Sequence, residues 1–239
     1  MEINKPKLLV VGDSFFSVDH HLYGNTFSKW KGHHWSEKLS EFEVLNHSLA
    51  GSSNAMIQHA LVTKLMQYTD ISAIVIGFTG IPRIEFKNDG SQPQVVPDEY
   101  KWYTSVHKSW LTSDQKLLST LYDSISDNHI ESIKHTWAIL GTLHFLKSLN
   151  IPFVYSLGIF ELIMQHSDFK KPDMLRIVDQ FSQFDKNKID FNLATYPNEK
   201  MPPRGDPLFH VPDPDWQQKF ANEVTTKLKT IDTPSIDLL

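Results

Sequence analysis

The sequence predicts an α/β fold: a three-layer α/β/α sandwich on a five-stranded parallel sheet, with an insertion after the third strand. Three observations predict it. Short apolar runs, KLLVV at 7–11, FEVLN at 42–46 and ISAIVIG at 71–77, alternate with segments of helical spacing. Runs without polar alternation suit strands buried on both faces. The connections are mostly tight, so a β-α-β-α-β order requires parallel strands with helices on both sides. Finally, 239 residues with 40% hydrophobic content fit one domain with a real core, and residues 1–239 are expected to form a single domain.

The elements follow in order. The first strand, 7–11, closes at Gly12. Residues 35–41 have helical spacing, with Trp35 and Leu39 four apart. The second strand, 42–46, runs into the turn HSLAGSS, whose Ser52 and Ser53 start a helix expected over 54–68. Ile57, Ala60, Leu61 and Leu65 lie on its inner face. Residues 71–77 are the clearest buried strand. From 78 to 127 the alternation stops, and glycines and prolines mix with Trp102, Tyr103 and Trp110. Residues 83–127 are expected to form an insertion or lid, since so long an irregular segment in a compact domain is usually functional or a small subdomain. Its aromatics suit either a sugar- or acyl-binding cleft or a core of their own. A long helix is expected over 128–149, with Ile130, Ile133, Trp137 and Leu140 inward and His129, His135 and His144 on its surface. A fourth strand at 152–158, a helix at 172–184 and a short fifth strand at 189–193 follow. After a proline-rich loop, the last helix begins at Pro214 with Asp213 as N-cap. The arrangement is flavodoxin-like, and ligands in such sheets bind at the carboxyl ends of the strands.

Composition narrows the chemistry. Cysteine is absent, which excludes disulfides, thiolate metal sites and a Cys nucleophile. The net charge of −5 argues against a nucleic-acid partner, which calls for a basic surplus. The apolar run at 8–11 is too short for a signal-peptide core or a membrane span, so a soluble chain is expected. The sequence leaves the oligomeric state open.

Three places near strand ends carry groups suited to chemistry. Gly12-Asp13-Ser14 follows the first strand, and a serine there sits at the mouth of the sheet beside turn amides that can hold an oxyanion. Asn46 to Gly51 follows the second strand, and Gly51 permits close backbone approach. Gly205 to His210 precedes the last helix and contains Asp206. A serine, a glycine N–H, an aspartate and a histidine are the parts of an acyl-transfer site. Taken alone, Asp13 and Ser14 also suit a simple turn cap. Adjacent histidines at 20–21 and 33–34, the latter with Glu37, are weak metal-ligand candidates because neighbouring side chains point apart; no metal or cofactor is expected.

These blocks, in this order, resemble the SGNH (GDSL-type) hydrolases over roughly residues 7–77 and 150–230. The resemblance implies Ser14 as nucleophile, His210 as general base, Asp206 as its orienting acid and Gly51 as an oxyanion donor. It implies a hydrolase acting on esters, O-acetyl groups of a carbohydrate among them. The stretches NHSLAGSSN and IVIGFTGIPRIEF are further similar to members from tailed bacteriophages, implying the host cytoplasm or the virion as location. Two departures stand out. Gly77-Phe78-Thr79 replaces the family's Gly-x-Asn, leaving Thr79 or Asn54 as third oxyanion donor, and Asp206 lies four residues before His210 where three is usual. Loss of one oxyanion donor typically costs about 10²–10³ in turnover, so weak esterase activity is expected. The alternative is an inactive SGNH-like phage protein with a structural or host-surface-binding role.

Overall fold

The computed structural model describes residues 5–17, 33–49, 52–80, 84–87, 103–106, 128–158, 160–161, 164, 167–195 and 213–231. Strands β1 (Lys7–Val11), β2 (Glu43–Asn46), β3 (Ile71–Gly77) and β6 (Phe153–Ser156) form a parallel sheet in the order β2-β1-β3-β6. Strands β4 (Ile84–Lys87) and β5 (Tyr103–Val106) form a separate antiparallel pair within the expected insertion; the remainder of 83–127 lies outside the described residues. The main helices are α1 (Asn54–Gln67), α2 (Asn128–Ser148), α3 (Pro172–Val178) and α4 (Pro214–Thr230).

The layering follows from the two-residue period of a strand. Leu9 and Val11 of β1, with Ile74 and Ile76 of β3, face a core completed by Ile57 and Leu61 of α1 and Leu140 and Leu143 of α2. Leu8, Val10, Ala73 and Val75 face the opposite core, built with Trp35 and with Phe220 and Val224 of α4. Both faces of the sheet are therefore covered, as unbroken apolar strands require. Helix starts match their caps. Ser53 accepts from the Met56 N–H at 3.1 Å, and Asp213 accepts from the Asp215 and Trp216 N–H groups.

Four expectations need correction. The fifth strand at 189–193 does not form among the described residues. One parallel bridge, Tyr155 to Lys188, with the Ile189 N–H donating to the Tyr155 carbonyl at 2.7 Å, is its remnant. The cause is Glu223 of α4: its carboxylate accepts from the Asp190 and Phe191 N–H groups and turns the chain out of the ladder. The helix expected over 35–41 is a single 3-10 turn, Trp35–Lys38. The helix over 172–184 is α-helical only to Val178 and continues as a 3-10 helix over Asp179–Asn187. On α2, Trp137 is 56% exposed and Ile130 51%. The buried stripe instead runs through Thr136, Ile139, Leu140, Leu143 and Leu146. Thr136 tolerates that position because its hydroxyl donates to the Ser132 carbonyl at 2.6 Å.

His34 caps the 3-10 turn, its Nδ1 accepting from the Ser36 N–H at 3.2 Å. Burial lowers its pKa to about 3, against a smaller opposing effect of the Phe15 backbone. The folded protein thus holds His34 neutral, whereas the unfolded chain takes up the proton below about pH 6.5. Its contribution to stability is complete above that pH and is lost as pH falls toward 3. His34→Asn keeps an acceptor at the cap and removes the titration. Between pH 6.5 and 5, the unfolding free energy of the wild type should fall by roughly 1 kcal/mol per pH unit more than that of the variant; parallel profiles would refute the assignment.

Candidate active site

The carboxyl ends of β1, β2 and β3 converge. The His47 N–H donates to the Val10 carbonyl at 2.8 Å and the Leu49 N–H to the Gly12 carbonyl at 3.0 Å, so the chain beyond β2 continues alongside the end of β1. Just past β1, Asp13 organises a tight turn. Its Oδ1 accepts from the Phe15 N–H at 3.0 Å, and its carbonyl accepts from the Phe16 and Ser17 N–H groups. Asp13 is thus a buried turn-former, while Ser14 beside it is half-buried. Ser14 is the only residue from 8 to 17 that is not buried.

The turn is clamped from two sides. Asn46, the last residue of β2, donates from Nδ2 to the Phe16 carbonyl at 2.8 Å and accepts from the Ser48 N–H at 3.0 Å. Beneath the turn, the Phe16 ring lies in a notch left by two glycines. A Cβ on Gly77 would stand 2.2 Å from a ring carbon, and one on Gly12 would stand 2.7 Å from Phe16. The far side of the ring meets Trp35 and Phe220 edge-on, with centroids 5.4 and 5.5 Å away. Gly12 and Gly77 are therefore needed for close approach, and Phe16 links both strand ends to α4.

Past β3, Thr79 is fully buried. Asn54, the first residue of α1, grips its backbone: Oδ1 accepts from the Thr79 N–H at 2.9 Å, and Nδ2 donates to the Thr79 carbonyl at 2.7 Å. The Thr79 hydroxyl has no hydrogen-bond partner among the described residues. A buried hydroxyl in that state costs about 1–3 kcal/mol.

The structure therefore brings Ser14, Asn54 and Thr79 to one edge of the sheet. Gly51, Asp206 and His210 lie outside the described residues, as do His20 and His21. Among the described residues no group of histidines and carboxylates is arranged to hold a metal ion, and no helix is long and apolar enough to cross a membrane. One residue assigned from sequence to the helix surface belongs here instead. His135 of α2 has a side chain only 13% exposed, and its Nδ1 lies 3.4 Å from Asn54 Nδ2. Only the packing of α2 against α1 reveals this, because the two residues are 81 apart.

No protein-family model matches the chain, and no curated protein matches it. Solved structures with a similar arrangement include a lipolytic protein of the G-D-S-L family from Desulfitobacterium hafniense DCB-2, at 12% identity and TM-score 0.46, covering 93% of this chain and 99% of that one. TesA is similar at 15% identity and TM-score 0.45, covering 93% and 98%. A catalytic mutant of Axe2, an acetylxylan esterase from Geobacillus stearothermophilus, is similar at 11% identity and TM-score 0.44, covering 95% and 96%. At these values the likeness assigns no role to individual residues.

The glycine notch is directly testable. Gly77→Ala should destabilise the protein by about 1–3 kcal/mol through overpacking against Phe16. Phe16→Leu should then cost less in the Gly77→Ala background than in the wild type, with a coupling of at least about 0.5 kcal/mol by denaturant unfolding. Strict additivity would mean that the ring does not occupy the notch.

Proposed function

We propose that this chain is a serine hydrolase of the SGNH type acting on esters, with Ser14 as nucleophile. The observation that supports this most is the placement of Ser14: a half-buried serine on a tightly bonded turn, in an otherwise buried stretch, at the strand ends where α/β sites assemble. A nucleophile needs such rigidity, since misplacement of the attacking atom by an ångström can cost about a hundredfold in rate.

In this mechanism His210 takes the Ser14 hydroxyl proton as Oγ bonds to the ester carbonyl carbon, and Asp206 orients the imidazole. The carbonyl oxygen becomes an oxyanion, held by the Ser14 and Gly51 N–H groups and by the Thr79 hydroxyl. The protonated His210 then gives its proton to the departing alkoxide, leaving an acyl group on Ser14. Water, deprotonated by His210, attacks the acyl carbon; the proton returns to Ser14 as the carboxylic acid leaves. Asn54 is the weaker candidate for third donor because its amide is already engaged with Thr79. Thr79 suits the role because its backbone is held by Asn54 and its hydroxyl is unpartnered among the described residues.

In the same reading the substrate is a small or carbohydrate ester, with O-acetyl groups as first candidates. Residues 83–127 would wall the pocket, because they follow directly on β3, whose end carries Thr79. The phage-like wording around Asn46 and Gly77 suggests a role in the infected cell or the virion.

Turnover of p-nitrophenyl acetate tests the proposal. Ser14→Ala should reduce it by several orders of magnitude. Thr79→Val should lower kcat by about 10²–10³ while raising unfolding stability by about 1 kcal/mol or more, since it deletes an unsatisfied buried hydroxyl. Equal rates for wild type and Ser14→Ala would overturn the nucleophile assignment and favour the non-catalytic alternative. Unchanged kcat in Thr79→Val would remove Thr79 from the oxyanion site.

A further inference from the structure

Asn54 is almost completely buried, so its amide must satisfy both protons and the oxygen inside the protein. The Thr79 backbone fixes which end is which. Its N–H can only donate, so it faces Asn54 Oδ1, and its carbonyl can only accept, so it faces Nδ2. One Nδ2 proton remains, and His135 Nδ1 stands 3.4 Å away. On the opposite side of the imidazole, Glu131 Oε2 lies 4.0 Å from Nε2, and the other carboxylate oxygen of Glu131 receives Lys134 Nζ at 2.7 Å. A carboxylate facing Nε2 favours the tautomer protonated there, which leaves the Nδ1 lone pair for Asn54. Donation therefore runs in one consistent direction, from the Thr79 N–H to Asn54, from the Asn54 amide to His135 Nδ1, and from His135 Nε2 toward Glu131.

We propose that His135 is a positioning residue of the active site: by accepting the last Asn54 amide proton it locks the Asn54 grip on Thr79, and so fixes the Thr79 hydroxyl where the developing oxyanion forms. It touches neither substrate nor reacting atoms, and its effect passes through Asn54. This rests on the esterase reading for its catalytic consequence, but the grip itself is a property of the folded chain.

The test uses the full-length protein with three variants. His135→Phe keeps a ring and deletes the acceptor, His135→Ala deletes the ring, and His135→Asn places an oxygen close to where Nδ1 stood. Two quantities are read: kcat and KM for p-nitrophenyl acetate, and hydrogen exchange of the Thr79 amide by NMR. The Phe and Ala variants should lower kcat by about tenfold or more with little change in KM, and Thr79 amide exchange should speed up by about tenfold or more. His135→Asn should restore both toward wild type. Wild-type Thr79 exchange in His135→Phe would overturn the proposal whatever the esterase assay gives. Faster exchange with unchanged kcat would reduce His135 to a structural residue, and an Asn variant as impaired as Phe would mean that ring packing, not the acceptor, matters. If wild type and Ser14→Ala hydrolyse the ester equally, the esterase reading fails, and the exchange measurement alone decides whether His135 holds the grip.

Discussion

The site depends on the seat of one aromatic ring. Phe16 fits where Gly12 and Gly77 carry no Cβ, and this lets the turn after β1 settle directly onto the end of β3. With any larger residue at either position the ring would lift, and the turn carrying Ser14 would lift with it. The same ring stacks edge-on against Trp35 and Phe220, and Trp35 is tied to α4 again by its N–H, which donates to Gln217 Oε1 at 3.0 Å. Two glycines commonly associated with close backbone approach thus serve a side chain. Their effect is to give a short turn the support of three elements distant in sequence.

Around that seat, polar groups do what the sheet cannot. Past the last ladder bonds the strand ends would present unpaired amides and carbonyls, and side-chain amides take them up. Asn46 secures the Phe16 carbonyl, and Asn54 secures both backbone groups of Thr79. Each asparagine supplies a donor and an acceptor on one planar group, so each can act as a piece of strand where no strand continues. The edge of the sheet is thereby held by side-chain hydrogen bonds without being regular. Among the described residues the Thr79 hydroxyl, like those of Ser48 and Tyr155, is buried without a hydrogen-bond partner, and of the three it is the one on the residue that Asn54 grips.

Much of this was legible in the sequence because it rests on local signals. The apolar runs at β1 and β3 are long enough, and sharply enough ended by glycine, to fix strand, edge and turn together. The caps Ser53 and Asp213 are local as well. What was not legible depends on distant pairs. Glu223 takes the amides of Asp190 and Phe191 from 33 and 32 residues away, and so ends a strand that its own apolar residues favour. His34 and His135 look alike in sequence as polar residues near helical segments, yet one is a buried neutral cap and the other reaches Asn54. Trp137 fits a helical stripe as well as Thr136 does; the stripe that is buried is decided by which aliphatics meet the sheet, and the Thr136 hydroxyl is quenched by its own helix. The triad partners expected at Asp206 and His210 lie outside the described residues, in a stretch of sequence without local periodicity.

The central claim is that Ser14 attacks and that the Thr79 hydroxyl receives the charge. A crystal structure of the full-length protein after reaction with a fluorophosphonate tests both at once, because the adduct mimics the tetrahedral intermediate. The account predicts a covalent bond from Ser14 Oγ to phosphorus, with the phosphonyl oxygen about 2.7–3.1 Å from Thr79 Oγ1. An unmodified Ser14, or an adduct whose oxygen points away from Thr79, would contradict it.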